Sequence, residues 1–281
     1  MAKYFVTGAT GTVGREVVAS LLSKGQEVIA ASRNPEKSKT LFQERVSSVS
    51  FDFADEASFS QVNESEGVFL IGPPLDLGLY ELLTPFLDYV KKNGPKRLVY
   101  LSANGMEHME DLPFHAQMEA AITSSELDWR IVRPGFFMQN FGNYERENIE
   151  ERKVLFVPAG SGKTAFISTK DIGASVATLL TEDEHSSQIF TLTGDRLMDY
   201  QEAASLLSSV TGSEIQYANP DHATYKAVLA QAGAPDFVAD YMISVYGLIA
   251  EGKVSNITSD VEKLTGNTPE SLEAVLRRDF A

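Results

Sequence analysis

The residues most able to do chemistry are the first ones met: Thr7-Gly8-Ala9-Thr10-Gly11-Thr12-Val13-Gly14. Gly8 permits a tight turn. Gly11 has no side chain to hold a pyrophosphate away from the backbone, and Gly14 lets a helix pack closely on a sheet. The open N–H groups of that helix then face the anion. Gly8, Thr10, Gly11, Thr12, Val13 and Gly14 are therefore the expected phosphate cradle. A bare trio of glycines says little. The same trio between a strand and a helix is the signature of a dinucleotide site, with a plain glycine-rich turn as the alternative.

The elements on either side have the required character. Lys3-Tyr4-Phe5-Val6 reads as a buried strand. Val13, Val17, Val18, Leu21 and Leu22 recur at helical spacing, and Glu27 to Ala31 is a second apolar strand. Nucleotide choice is made at the end of that strand, where a site for NAD usually carries Asp or Glu to hold the ribose hydroxyls. Here the residue is Arg33, with Lys37 a turn further on. A guanidinium suits a 2′-phosphate that a carboxylate would repel, so NADP(H) is favoured. The alternative is an ordinary pair of surface charges. Asn34 and Pro35 suit the cap and first turn of the next helix.

Further along, strands are expected at 46–51, 67–71 and 96–101, and 129–141 reads as a strand and a turn. Gly72-Pro73-Pro74 and Ser102-Ala103-Asn104-Gly105 leave two of them at the carboxyl end, the ligand side of such a sheet. Helices are expected at 79–92, 114–125, 171–180, 199–210, 221–231, 236–250, 259–264 and 269–280. Val154–Val157 and Thr164–Ile167 are expected to form a hairpin around Pro158–Lys163. Its Gly160-Ser161-Gly162-Lys163-Thr164 only partly echoes a phosphate loop. The fold class is thus α/β, a doubly wound parallel sheet over residues 1–150, with strands near 164–167 and 188–193 returning to it. Residues 151–281 are a smaller, mostly helical substrate region.

Composition narrows the functions. The chain has 281 residues, 43% of them hydrophobic, and a formal net charge of −15. That charge disfavours nucleic acid and anionic membranes as partners. There is no cysteine, hence no disulfide or thiolate nucleophile. No apolar run is long enough to span a bilayer. The first strand begins at once, leaving no room for a leader. A cytoplasmic monomer or homodimer without a bound metal is expected.

Several stretches together resemble the NmrA-like group of atypical short-chain reductases: TGATGTVG, SRNPEK, LSANG, the His115/Glu119 helix, and Arg133-Pro134-Gly135-Phe136-Phe137-Met138-Gln139-Asn140-Phe141. The likeness covers nearly the whole chain and is loosest after Tyr217. It implies NADPH-dependent reduction of quinone, azo or triphenylmethane-type substrates by direct hydride transfer. It also leaves open a non-catalytic NADP(H) sensor acting through a partner protein; a sugar-nucleotide epimerase is disfavoured. By position, Asp52, Phe53, Gly72, Pro73, Ser102, Ala103, His115, Pro134 and Phe136 would touch the cofactor. Asp52 could equally cap the next helical segment. Pro74, Asn104, Phe136, Phe137, Phe141 and Phe166 would line an apolar substrate pocket, although some of the aromatic residues are expected to be core.

One departure from the ordinary relatives is informative. Their Tyr-x-x-x-Lys pair is missing: the Tyr position is Asp111 and the Lys position is His115. His115, with Ser102, is the remaining candidate for proton or ribose chemistry. Glu119, one turn on, could orient the ring or be a solvated charge.

Overall fold

In the computed structural model, which describes residues 2–109 and 114–281, the apolar runs become strands and the periodic ones helices. The strands are β1 (Lys3–Val6), β2 (Glu27–Ser32), β3 (Ser47–Ser50), β4 (Gly67–Leu70), β5 (Arg97–Leu101), β6 (Asp128–Pro134), β7 (Val154–Leu155), β8 (Gln188–Leu192) and β9 (Gln216–Tyr217). The helices are α1 (Thr12–Ser23), α2 (Pro35–Phe42), α3 (Leu79–Asn93), α4 (Phe114–Thr123), α5 (Asn140–Asn143), α6 (Thr169–Thr181), α7 (Tyr200–Thr211), α8 (His222–Gln231), α9 (Asp236–Ala250), α10 (Asp260–Thr265) and α11 (Leu272–Phe280). Asn34 caps α2 through Lys37 N–H at 3.0 Å, with Pro35 in the first turn, as its sequence requires.

Seven strands form one parallel sheet in the order β3-β2-β1-β4-β5-β6-β8. The chain leaves β1 toward β2 on one side and returns to β4 on the other. This reversal opens a crevice at the carboxyl ends of β1 and β4, the doubly wound arrangement expected. Helices α1, α6 and α10 pack together, as do α3 and α4. Strand residues alternate between the layers: Phe5 meets Phe86 of α3, with ring centroids 6.1 Å apart, whereas Tyr4 lies toward Leu180 of α6, beside Gly67.

The chain divides into two units. The first comprises 1–134, 169–192 and 260–267; the second comprises 135–168, 193–259 and 268–281. Strand β8 and helix α6 belong to the first. The second has a small parallel pair, β7 with β9, and an aromatic core. In that core Tyr200 packs edge-on against Phe166 at 5.3 Å and Tyr246 at 5.9 Å.

Residues 164–167 do not form the expected strand, either in a hairpin with 154–157 or in the main sheet. Thr164 bridges Met198 and Ile167 bridges Phe137. The reason lies in the intervening turn. Ala159 N–H donates to the Tyr217 hydroxyl at 3.2 Å, and that hydroxyl lies 2.9 Å from Gly160 O and 3.1 Å from Asn219 Oδ1. The turn is bonded sideways to the segment around β9, so its two flanks cannot pair with each other. Gly162 also presses on the end of α9, where a Cβ would lie 1.8 Å from Ile249 O. The Gly-Ser-Gly-Lys echo is thus a packing feature, and Lys163 is paired with Glu202 at 2.9 Å.

The contact between α1 and α6 depends on Gly173, where a Cβ would sit 2.5 Å from the Glu16 carbonyl carbon. Overpacking of this kind costs about 1–3 kcal/mol. Gly173→Ala should therefore lower stability by about that much in urea denaturation. An unchanged midpoint would show that the two helices separate without cost.

Candidate functional site

The glycine turn leaves β1 with Gly8 at φ 57, a left-handed conformation that costs glycine little. Gly11 N–H donates to Gly8 O at 2.9 Å, which closes the turn. Gly14 sits so close beneath it that a Cβ would lie 2.1 Å from Gly8 O. At Gly11 the corresponding distance is 3.2 Å, also to Gly8 O. No side chain caps α1, so its first-turn amides have the geometry that receives an anion. This cradle, turned by Gly8 and kept open by the lack of a side chain at Gly11, fits a dinucleotide pyrophosphate.

Thr7, ahead of the glycines, holds the crevice in shape. It is fully buried. Its hydroxyl lies 3.1 Å from Phe69 O and 3.0 Å from Ile71 O, and it accepts Ile71 N–H at 2.8 Å. One side chain thus joins the end of β1 to the chain leaving β4 toward Gly72 and Pro73. Only its place beside the glycines could have drawn attention to it in the sequence.

Arg33 is exposed at the end of β2, and Lys37 is exposed on α2. Among the described residues neither head group has a carboxylate partner. Asp52 is half-buried and binds Ala54 N–H at 3.0 Å in a local turn. Asp55, not Asp52, caps the following 3-10 segment, which removes the capping role considered for Asp52. Phe53 packs on Phe51 and Phe86, at 5.0 and 5.7 Å. The loops after β5 and β6 are tied together: Ser102 N–H donates to Val132 O at 2.8 Å and Asn104 N–H to Pro134 O at 3.0 Å. Among the described residues the buried Ser102 hydroxyl has only the sulfur of Met106 as acceptor, at 3.3 Å. Ala103 lies in the loop after β5, and Pro74 in the carboxyl-end loop after β4.

His115 opens α4, and its Nδ1 lies 2.8 Å from the hydroxyl of Tyr100 on β5. Burial pushes the His115 ring down to about 4, against a smaller opposing pull from Glu119. The same burial pushes the Tyr100 phenol upward. His115 is therefore neutral at physiological pH. Glu119 neither orients the ring by a hydrogen bond nor lies in solvent. It is 6% exposed, and Arg133 of β6 grips both its oxygens, at 2.9 and 2.5 Å. That bidentate pair anchors α4 to β6 and so fixes where His115 stands. Sequence reasoning passed over Arg133 and Tyr100. Asp111, at the position of the missing tyrosine, lies outside the described residues.

Four of the expected pocket residues, Phe136, Phe137, Phe141 and Phe166, fall in the second unit. Phe141 and Phe166 are each 3% exposed and lie 5.4 Å apart in its core. They are packing residues, not a wall open to a ligand. Phe136 and Phe137 are half-buried, and Phe136 stacks on Tyr246 at 6.0 Å. A separate cleft of about 410 Å³, lined by Tyr4, Lys96, Arg97 and Asp128, opens at the amino end of the sheet, away from the glycine turn. Its Arg97 is already held by Asp128, Asp183 and Leu180 O, so the cleft is structural.

Comparison with known proteins agrees with this geometry. Residues 8–183 match the model of the NAD(P)H-binding family, and the chain belongs to that family. It is 29% identical to prestalk A differentiation protein A of Dictyostelium discoideum, over 98% of this chain and 92% of that protein. It is 27% identical to an NAD(P)H azoreductase of Xenophilus azovorans, over 93% and 92%. The crystal structure of the Escherichia coli NADPH-dependent quinone oxidoreductase complexed with NADPH superposes with a TM-score of 0.89 at 24% identity, covering 99% of this chain and 100% of that one. That likeness establishes the fold.

The cradle makes two adjacent glycine positions distinguishable. Gly11→Val should keep the wild-type circular dichroism spectrum and lose NADPH binding, because its methyl groups would occupy the phosphate space. Gly14→Ala places a methyl against backbone and should instead lose stability, by about 1–3 kcal/mol or more. NADPH titration and thermal unfolding of both variants separate the two roles. Normal binding by folded Gly11→Val would place the phosphates elsewhere.

Proposed function

We propose that this chain is an NADPH-preferring reductase that passes a hydride to a small conjugated acceptor of quinone, azo or triphenylmethane type. The observation that carries the cofactor preference is Arg33. It is an exposed guanidinium without a carboxylate partner among the described residues, at the position where a carboxylate would select NAD. Lys37 adds a second positive charge. The glycine cradle receives the pyrophosphate, and Asp52 and Phe53 border the adenine end. Gly72, Pro73, Ser102, Ala103 and His115 border the nicotinamide end.

When bound, NADPH supplies a hydride from the nicotinamide C4. The protein's part is to hold the ring and keep the acceptor against it. A neutral His115 suits a hydrogen bond to a ribose hydroxyl better than rapid proton donation at pH 7. Conjugated acceptors tolerate that, since the arriving charge is delocalised and the proton can follow from water. Phe136 and Phe137 serve as apolar contacts for the acceptor. The names of the azoreductase and quinone oxidoreductase relatives support the same substrate class. The sensor alternative has no observation of its own in its favour. No helix among the described residues is long and apolar enough to cross a membrane, which suits a reductase acting on dissolved substrates in the cytoplasm.

The test is steady NADPH oxidation with menadione, an azo dye or a triphenylmethane dye, together with nicotinamide fluorescence titrations. NADPH should bind at least about tenfold tighter than NADH, equivalent to about 1.4 kcal/mol, and Arg33→Ala should erase the difference. Equal affinities in the wild type would remove the preference, and no turnover of any acceptor would remove the reductase.

The role of His115 has its own pH signature. A ring that stays neutral down to about 4 takes up no proton between pH 6 and 9, so wild type and His115→Ala should have parallel rate profiles there. His115→Ala should weaken NADPH binding severalfold and lower kcat modestly. A loss of kcat of roughly 10²–10⁴ at unchanged Kd would instead identify a general acid.

A further inference from the structure

The pairing of His115 with Tyr100 defines more than a position for the ring. Tyr100 is a fully buried phenol on β5, and among the described residues its hydroxyl has one polar partner, His115 Nδ1, at 2.8 Å. Two arrangements are compatible with that distance. In one, the Tyr100 O–H donates to a bare Nδ1, and the ring proton is on Nε2. In the other, Nδ1–H donates to the phenol oxygen, and the Tyr100 proton points into the core with no acceptor. A buried donor left without a partner costs far more than an acceptor lone pair left over. The first arrangement is therefore strongly preferred.

From this geometry we infer that Tyr100 is a positioning residue that locks His115 as the Nε2–H tautomer, presenting one N–H donor to the ligand side of the sheet. The inference rests on the reductase reading only for what the donor meets, namely a ribose hydroxyl or a carbonyl-type oxygen. Several facts agree. Nε2 has no protein partner among the described residues, and the ring is half-buried, so one edge remains accessible. Phe114 packs on the ring at 4.9 Å and restricts its tilt. Glu119 on α4 is a charge that acts on the ring, and it is held by Arg133 of β6, so it makes no competing hydrogen bond to the ring. A lysine in this position would present three donors and a full charge. The Tyr100–His115 pair presents a single neutral donor aimed by the buried phenol.

Long-range ¹H–¹⁵N correlation spectra of the intact protein at pH 7 read the tautomer directly, with His115→Ala identifying which ring signals belong to His115. The expected result is a protonated Nε2 and a bare Nδ1. An Nδ1–H ring, or a doubly protonated one, overturns the inference without any further variant. Tyr100→Phe removes the aiming hydroxyl and should give a mixture of tautomers. It should also weaken NADPH binding by roughly 2–10-fold, the equivalent of one hydrogen bond. In a His115→Ala background the same substitution should change Kd no further. An unchanged tautomer in Tyr100→Phe, or an equal loss of affinity in both backgrounds, would reduce Tyr100 to a packing residue. A locked Nε2–H ring in a wild-type protein that binds no NADPH would leave the Tyr100 inference standing and remove the cofactor reading instead.

Discussion

The structure depends on how closely α1 approaches the turn that leaves β1. A helix can offer its first amides to a phosphate only if nothing stands between backbone and anion. It can be held there only if its own first turn packs against the sheet. Gly14 meets the second condition, with 2.1 Å separating an added Cβ from Gly8 O. Gly11 meets the first. The approach is then secured from the side by Thr7, whose hydroxyl joins the chain ends of β1 and β4. The order β3-β2-β1-β4 puts the arginine-bearing end of β2 on one flank of this turn and Gly72 on the other. The cofactor-binding edge is therefore a consequence of one tight turn and of the strand order around it.

Electrostatics works locally against the overall balance. The chain carries 39 acidic and 24 basic residues, and its positive groups are largely paired: Arg97, Arg130, Arg133, Arg146 and Arg152 all have carboxylate partners. Among the described residues Arg33, like Arg15, Arg45 and Arg196, has no such partner, and it stands at the carboxyl end of β2. An acidic surface also discourages unselective contact with polyanions, so a phosphate-bearing ligand is attracted only where a cation has been left without a partner.

The fold was readable in the sequence because its signals are local. Glycine spacing, the Asn34-Pro35 cap and the unbroken apolar strands are each decided within a few residues, and the observed elements follow them. The hairpin at 154–167 failed because its turn is bonded to Tyr217 and Asn219, more than fifty residues away, which no local pattern can announce. Phe141 and Phe166 were misplaced for a related reason. Periodicity reports that a side chain is apolar, not whether the space in front of it is filled by Tyr200. Tyr100 and Arg133 were overlooked because each lies in a strand that reads as simply buried. Their importance comes from partners on α4, separated from them in sequence by 15 and 14 residues.

The network around His115 also explains how a site can lose a lysine without falling apart. An ammonium at this position would need a ligand or a carboxylate to offset its burial. Glu119, one helical turn on, is committed to Arg133, so it is not available for that purpose. An imidazole solves the problem differently. Desolvation simply holds it neutral, and a neutral ring needs only one partner for its inner nitrogen, which Tyr100 supplies. The outer nitrogen, without a protein partner among the described residues, then remains as a directional hydrogen-bonding group. Such a site is poorly suited to stabilising an alkoxide, and better suited to acceptors whose incoming charge is spread over a conjugated system. The burial of one histidine thus links the missing Tyr-Lys pair to the class of substrate.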